Sequence, residues 1–184
     1  MAHVVVVAVP VKDPTRGKSR LRVDGDEGVE TLIRDLAQGV LRAGAPRHTY
    51  LVGRGVDFDR WASDVGAIWF AVETGSLNGD LDAARAALDP DLFIVALGDL
   101  QQPEGLGVFD FVPDAVTLVP DHHGTGTSVL AVPRGHFDFQ FGLNSAARHR
   151  AEAERQGLTL IELANSPWRF DLDEPIDRVI RGQE

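Results

Sequence analysis

Residues Asp121 to His149 hold the densest set of chemically capable groups in the chain. They open Asp-His-His-Gly-Thr-Gly-Thr-Ser-Val-Leu, pass through a strand-like run, and close Phe-Gly-Leu-Asn-Ser-Ala-Ala-Arg-His. Amides, hydroxyls and a guanidinium gathered in one place suit a phosphate or carboxylate ligand. The donors are Thr125, Thr127, Ser145 and the amides of Gly124, Gly126 and Gly142. Asn144 or Ser145 could cap the helix that follows, whose N-terminus attracts anions, and Arg148 lies one turn into it. Ordinary turn and cap chemistry is the competing reading of either half alone. His149 by itself reads as a packed or surface histidine. His122 and His123 are adjacent and lack a further helix-spaced ligand, which argues against zinc.

Four other segments could act with it. Lys12, Arg16, Lys18, Arg20 and Arg22 crowd one loop, where Lys18 and Arg20 could neutralise a triphosphate and its departing pyrophosphate. A solvated charged loop is the alternative. The loop lacks the leading glycine of a Gly-x-x-x-x-Gly-Lys-Ser phosphate loop and is not a Gly-x-Gly-x-x-Gly turn. Gly98-Asp99 ends an apolar strand, placing a carboxylate for Mg²⁺ or for a turn cap. Asp171-Leu-Asp173 puts two carboxylates on one face of an extended segment, which is costly unless a cation or donors lie between them. Asp173 also fits as a cap for a helix from Pro175. Asn78, in Leu77-Asn78-Gly79, is either an ordinary cap or a contact to a base or ribose.

The elements that would position these residues alternate. Val4–Val9 is a β-branched run of the kind expected for a buried parallel strand. The punctuated loop Pro10–Leu21 follows. Gly28–Ala43 has helical spacing through Leu32, Ile33, Leu36, Val40 and Leu41, with Gly44 as a stop. Strands are expected at Thr49–Val52, Ile68–Val72, Asp91–Leu97, Ala115–Val119, Ser128–Val132 and Thr159–Leu163. Helices are expected at Phe58–Val65, Leu77–Leu88, Asn144–Gln156 and Pro175–Arg181, and Val108–Phe111 reads as a short helix or irregular. This order implies an α/β fold, a mostly parallel sheet with helices on both faces. Ligands in such folds sit at the C-terminal ends of the strands.

Composition bounds the functional classes. A chain of 184 residues with 43% apolar content can build a real core, and it is read as one domain over residues 1–184. A net charge of −10 argues against nonspecific nucleic-acid binding. There are no cysteines, so thiolate metal sites and cysteine nucleophiles are excluded, and a reducing cytoplasm fits. No run approaches the ~20 apolar residues of a membrane span, and the N-terminus lacks a signal-peptide pattern. No long apolar stripe is left over to set an oligomeric state.

Taken together the segments resemble the CofC/FbiD family of phosphoenolpyruvate or 2-phospho-L-lactate guanylyltransferases, relatives of the MobA-like nucleotidyltransferases that act in biosynthesis of the deazaflavin coenzyme F420. Lys12 with Lys18-Ser-Arg-Leu21 resembles the family's nucleotide loop, and Leu77-Asn78 its Leu-Asn near the guanine nucleotide. Gly98-Asp99-Leu100 is similar to its Gly-Asp-Leu-Pro. Asp121 with Gly124-Thr-Gly-Thr127 resembles Asp-x-x-Gly-Thr-Gly-Thr. Phe141-Gly142 with Ser145-Ala-Ala-Arg-His149 resembles Phe-Gly-x-x-Ser-x-Ala-Arg-His. Asp171-Leu-Asp-Glu-Pro175 resembles Asp-x-Asp-Thr-Pro. The family proline is Gln101 here and its threonine Glu174.

The resemblance implies a single-domain, three-layer Rossmann-like fold. It implies that Thr127, Gly142 and Ser145 hold a phosphoenolpyruvate-type substrate and that Asp99 and Asp171 hold Mg²⁺. Lys12, Lys18, Arg20 and Asn78 would serve the nucleotide, with Lys18 and Arg20 assisting catalysis. The expected reaction joins GMP from GTP to a phosphorylated three-carbon acid (phosphoenolpyruvate, 2-phospho-L-lactate or 3-phosphoglycerate) and releases pyrophosphate, in the cytoplasm. Its rivals are a molybdopterin-type nucleotidyltransferase on the same fold and a non-catalytic nucleotide-binding protein.

Overall fold

The structure is a computed structural model and describes residues 3–12 and 27–172. Lys18, Arg20, Asp173, Glu174 and the helix expected at Pro175–Arg181 lie outside the described residues.

Strands β1 (Val5–Pro10), β2 (His48–Gly53), β3 (Ile68–Ala71), β4 (Leu92–Ala96), β5 (Ala115–Pro120), β6 (Thr127–Pro133) and β7 (Thr159–Glu162) form one sheet. Its order is β3-β2-β1-β4-β6-β5-β7. Among the described strands only β6 runs against its neighbours: β2 is parallel to β3, β1 is parallel to β2 and β4, β5 is parallel to β7, and β6 is antiparallel to both β4 and β5. The apolar runs are therefore central strands covered on both faces.

Helices α1 (Glu27–Ala43) and α2 (Phe58–Ser63) cover one face. Their Val40, Leu41, Phe58 and Trp61 pack on Val7, Val9, Ile94 and Val129. Helices α3 (Leu77–Leu88) and α4 (Ser145–Arg155) cover the other, where Leu81, Ala84, Ala146 and Ala153 meet Val6, Ala8, Phe93 and Leu130. The pattern of alternating strand residues thus separates into two cores, which is the three-layer arrangement expected from the sequence. Segment 101–111 is irregular rather than helical, and the 3-10 turn Pro167–Arg169 packs against it through Trp168, Phe109 and Phe111. No described helix is long and apolar enough to cross a membrane.

Because β6 is antiparallel, its first residue lies at the same edge as the C-terminal ends of β1, β4 and β5. That edge gathers Lys12, Asp99, Asp121 and Thr127, with the N-termini of α3 and α4 beside them.

Candidate active site

At the α4 side of this edge, three buried polar side chains form a chain of hydrogen bonds. Thr127 Oγ1 lies 2.9 Å from His149 Nδ1, and Ser145 Oγ lies 3.1 Å from Thr127 Oγ1. Exposure is 3% for Thr127, 2% for Ser145 and 0% for His149. A backbone irregularity sets Thr127's direction. The β5–β6 register slips by one between Val119 and Pro120, so that Pro120 faces Thr127 rather than Ser128. Plain alternation would aim Thr127 with Val129 and Ala131 toward α1; the slip re-aims it toward α4. His149 completes the chain by accepting from the Gln140 amide through Nε2 at 3.0 Å. Burial pushes its imidazole down to about 4, against a smaller upward pull from Glu152.

The strap between β6 and α4 is pinned by side chains. Arg85 donates to the carbonyls of Pro133, Gly135 and Phe137. Glu152 accepts from the Asp138 amide and, with Asp138, pairs with Arg155. The cluster His136, Asp138 and Glu152 could hold a cation by its spacing. The ion pair with Arg155 gives a structural account of the two acids. Asn78 closes the strap's end: Phe141 N donates to its Oδ1 at 2.8 Å, and its Nδ2 donates to Phe141 O at 3.2 Å. Gly142 follows at φ +129°, a conformation open chiefly to glycine.

Two expectations about caps are corrected here. Asn144 precedes α4 with φ 55° and makes no side-chain cap bond. The helix's first amides are met by backbone: Ser145 N donates to Gly142 O, and Ala146 N to Thr125 O. Ser145's hydroxyl is bonded to Thr127 instead of capping. Asn78 is not the cap of α3 either, since Ser76 Oγ accepts from Gly79 N at 3.1 Å. In the Asp121 turn, the Gly124 amide donates to Asp121 O and the Thr125 amide to Asp121 Oδ1. Those donors hold the turn; Thr127 and Ser145 are the hydroxyl pair the fold brings together. Arg148 is exposed.

On the other side of the edge, Asp99 and Asp171 are brought together through the backbone. Leu100 bridges antiparallel to Asp171, Leu172 N donates to Asp99 O at 3.1 Å, and Gln101 N donates to Phe170 O at 2.8 Å. Gln101 Nε2 also donates to Asp171 O at 3.2 Å. A proline at 101 could make neither bond, so Gln101 adds two ties to the Asp171 segment. Asp171 is 5% exposed, and His122 Nδ1 stands 3.6 Å from its Oδ1. Arg169 holds the His122 turn by donating to the carbonyls of Asp121 and His122. Gly98 precedes Asp99 where a Cβ would stand 2.8 Å from Val11 Cγ2, so the β4 end can lie close against β1. Carboxylates carried on such neighbouring segments are the donors a hard divalent cation takes. Lys12 lies just past β1 and is exposed.

Sequence reasoning did not assign roles to Gln101, Gln140, Arg169 or His122. The first was visible only as a departure from a motif. Gln140 acts through its amide, which no residue type announces.

A sheet in this order between two helix layers, with its polar residues at the strand ends, is a Rossmann-like α/β fold. A nucleotidyl transferase from Methanothermobacter thermautotroptrophicus superposes with a TM-score of 0.60 at 13% identity, covering 97% of this chain and 95% of that one. A CMP:2-keto-3-deoxy-manno-octonic acid synthetase complexed with CTP gives 0.56 at 11% identity, over 98% and 99%. A glucosyl-3-phosphoglycerate synthase from Mycobacterium tuberculosis, in complex with Mn²⁺ and UDP, gives 0.59 at 13%, over 96% and 75%.

Sequence relatives narrow the class. A phosphoenolpyruvate guanylyltransferase of Sphaerobacter thermophilus is 33% identical over 94% of this chain and 89% of its own length. One of Chloroflexus aggregans is 30% identical over 91% and 92%. No protein-family model matches the chain. The chain belongs to the phosphoenolpyruvate guanylyltransferase family.

Proposed function

We propose that the protein transfers the guanylyl group of GTP to the phosphate of phosphoenolpyruvate and releases pyrophosphate, as a cytoplasmic step in coenzyme F420 biosynthesis. The observation that carries the reading is the juxtaposition of two halves at one sheet edge. One is the Thr127–Ser145 hydroxyl pair beside Gly142; the other is the pair of backbone-joined segments that carry Asp99 and Asp171. Names of relatives across most of the chain support the same reaction.

Thr127, Ser145 and the Gly142 backbone hold the acceptor. Lys12, Lys18 and Arg20 oppose the triphosphate's charge, and Lys18 and Arg20 steady the departing pyrophosphate. Asn78 serves the nucleotide from the first turn of α3, while its amide holds Phe141 at the end of the strap. Asp99 and Asp171 would hold Mg²⁺, which when bound offsets charge on the phosphates. The acceptor's phosphate is ionised at neutral pH, so no protein base is required. Its oxygen forms a bond to the α-phosphorus in line as the α–β bridging bond breaks, and the electron pair leaves with pyrophosphate. The protein's part is positioning and charge stabilisation.

Purified protein with Mg²⁺ and GTP should release pyrophosphate when given phosphoenolpyruvate. Parallel reactions with 2-phospho-L-lactate, 3-phosphoglycerate, molybdopterin and with CTP in place of GTP define the acceptor and base. Absence of turnover with all three phospho-acids would refute the reading. Turnover with molybdopterin, or Mg²⁺-independent GTP binding without turnover, would move the protein to a different function on the same fold.

A further inference from the structure

We propose that His149 is a positioning residue: held as its Nδ1–H tautomer by the Gln140 amide, it forces the Thr127–Ser145 hydroxyl pair to present a donated hydrogen to the acceptor anion. This rests on the reading that Thr127 and Ser145 hold the acceptor.

Hydrogen-bond direction carries the inference. A backbone amide can only donate, so the 3.0 Å contact from Gln140 N requires a lone pair on His149 Nε2. A neutral imidazole then has its proton on Nδ1, which donates to Thr127 Oγ1 across 2.9 Å. An imidazolium would set two N–H groups against each other at Gln140, and burial disfavours that charge more than nearby Glu152 favours it. With Thr127 Oγ1 already accepting, the Thr127–Ser145 contact of 3.1 Å consumes one of the pair's two hydroxyl hydrogens. If Ser145 donates to Thr127, the Thr127 hydrogen is left over; if Thr127 donates to Ser145, the Ser145 hydrogen is left over. Either way one hydrogen remains for a ligand.

The other tautomer inverts this result. A bare Nδ1 would accept the Thr127 hydrogen, Thr127 would accept the Ser145 hydrogen, and the pair would offer lone pairs alone. Ionised phosphates and carboxylates are acceptors only. The tautomer therefore decides whether the pair attracts or repels an anion. It does so without adding charge, which suits a buried position.

The strap supports the same role. Asn78 fixes Phe141 next to Gln140, Glu152 fixes Asp138, and α4 carries His149 itself, so the amide and the ring are held on opposing rigid parts.

Nitrogen-15 NMR of the ring in the wild-type protein tests the tautomer directly, with the resonance assigned by its loss in His149→Phe. A protonated Nδ1 and a bare Nε2 are expected near neutral pH; a protonated Nε2 overturns the proposal. Steady-state kinetics test the consequence. His149→Phe should raise KM for phosphoenolpyruvate about tenfold or more, the loss expected for a donor to a charged group. KM for GTP should stay within about twofold. A purely structural role would lower the active fraction, and so kcat, without separating the two KM values. Thr127→Val is the control on the underlying reading. If it leaves the phosphoenolpyruvate KM unchanged, the acceptor site is misplaced. If it raises that KM while His149→Phe does not, the acceptor site stands and the positioning role falls.

Discussion

The two halves of the site meet at one edge of the sheet but are built by opposite means. The half proposed for the acceptor is neutral and buried: Thr127, Ser145 and His149 are joined through side chains from β6 and α4. The half proposed for the metal is charged, and its Asp99 and Asp171 lie on segments joined by backbone pairing between the β4 end and the chain after the 3-10 turn. Hydroxyls can be buried when every partner is supplied, whereas paired carboxylates need a cation or donors to hold them together. The acceptor half should therefore be fragile to single side-chain changes that disturb direction. The metal half should be fragile to changes of charge.

The largest expected effect lies in the metal half. Asp171→Asn should lower kcat by about a hundredfold to a thousandfold, with the fold retained by circular dichroism, because the backbone bridge to Leu100 survives. An Asp171→Asn protein with wild-type turnover would remove the carboxylate pair from the mechanism.

A pH scan separates the halves next. His149 is held neutral down to about 4, while the same group in the unfolded chain titrates near its ordinary 6.5. Between those values the unfolded state binds the extra proton, so stability is full above about 6.5 and declines as pH falls toward about 4. The decline attributable to His149 should be about 3 kcal/mol, from about 1.4 kcal/mol per unit. Urea unfolding at pH 7 and pH 4.5 should show it in the wild type, and His149→Phe should have lost that part of the slope.

Asn78→Ala probes the seam. Its amide makes two bonds to the Phe141 backbone, so removal should raise KM for phosphoenolpyruvate about three- to tenfold. A similar rise in KM for GTP is expected from its proposed contact with the nucleotide. A rise in one constant alone would assign Asn78 to that half. Gln101→Ala should have the smallest effect, about 1 kcal/mol of stability for one lost bond to Asp171 O. A loss of several kcal/mol would mean that Gln101 does more than tie that segment.

Much of the fold was legible because strand runs and helical spacing record burial. The span Leu77–Leu88 was read to the residue, and Ala115–Val119 to within one. Motifs singled out Asp99, Asp171, Thr127, Gly142 and Ser145; the fold brings Thr127 and Ser145 into contact and joins the segments of Asp99 and Asp171 through the backbone. Direction was not. The cap expected at Asn144 or Ser145 failed because backbone carbonyls of Thr125 and Gly142 met those amides first. Asn78's partner is 63 positions away, and no local pattern encodes it. Gln140 contributes an amide common to nearly every residue type. The register slip that turns Thr127 toward α4 arises from pairing between strands, which sequence alternation alone predicts the other way.

The chemistry itself is tested most directly by phosphorus NMR of the reaction mixture. With GTP, Mg²⁺ and phosphoenolpyruvate, the account predicts inorganic pyrophosphate together with a product whose guanosine α-phosphorus is coupled to the phosphorus of the acid. GDP with inorganic phosphate, or GMP with the phosphoenolpyruvate signal unchanged, would contradict it.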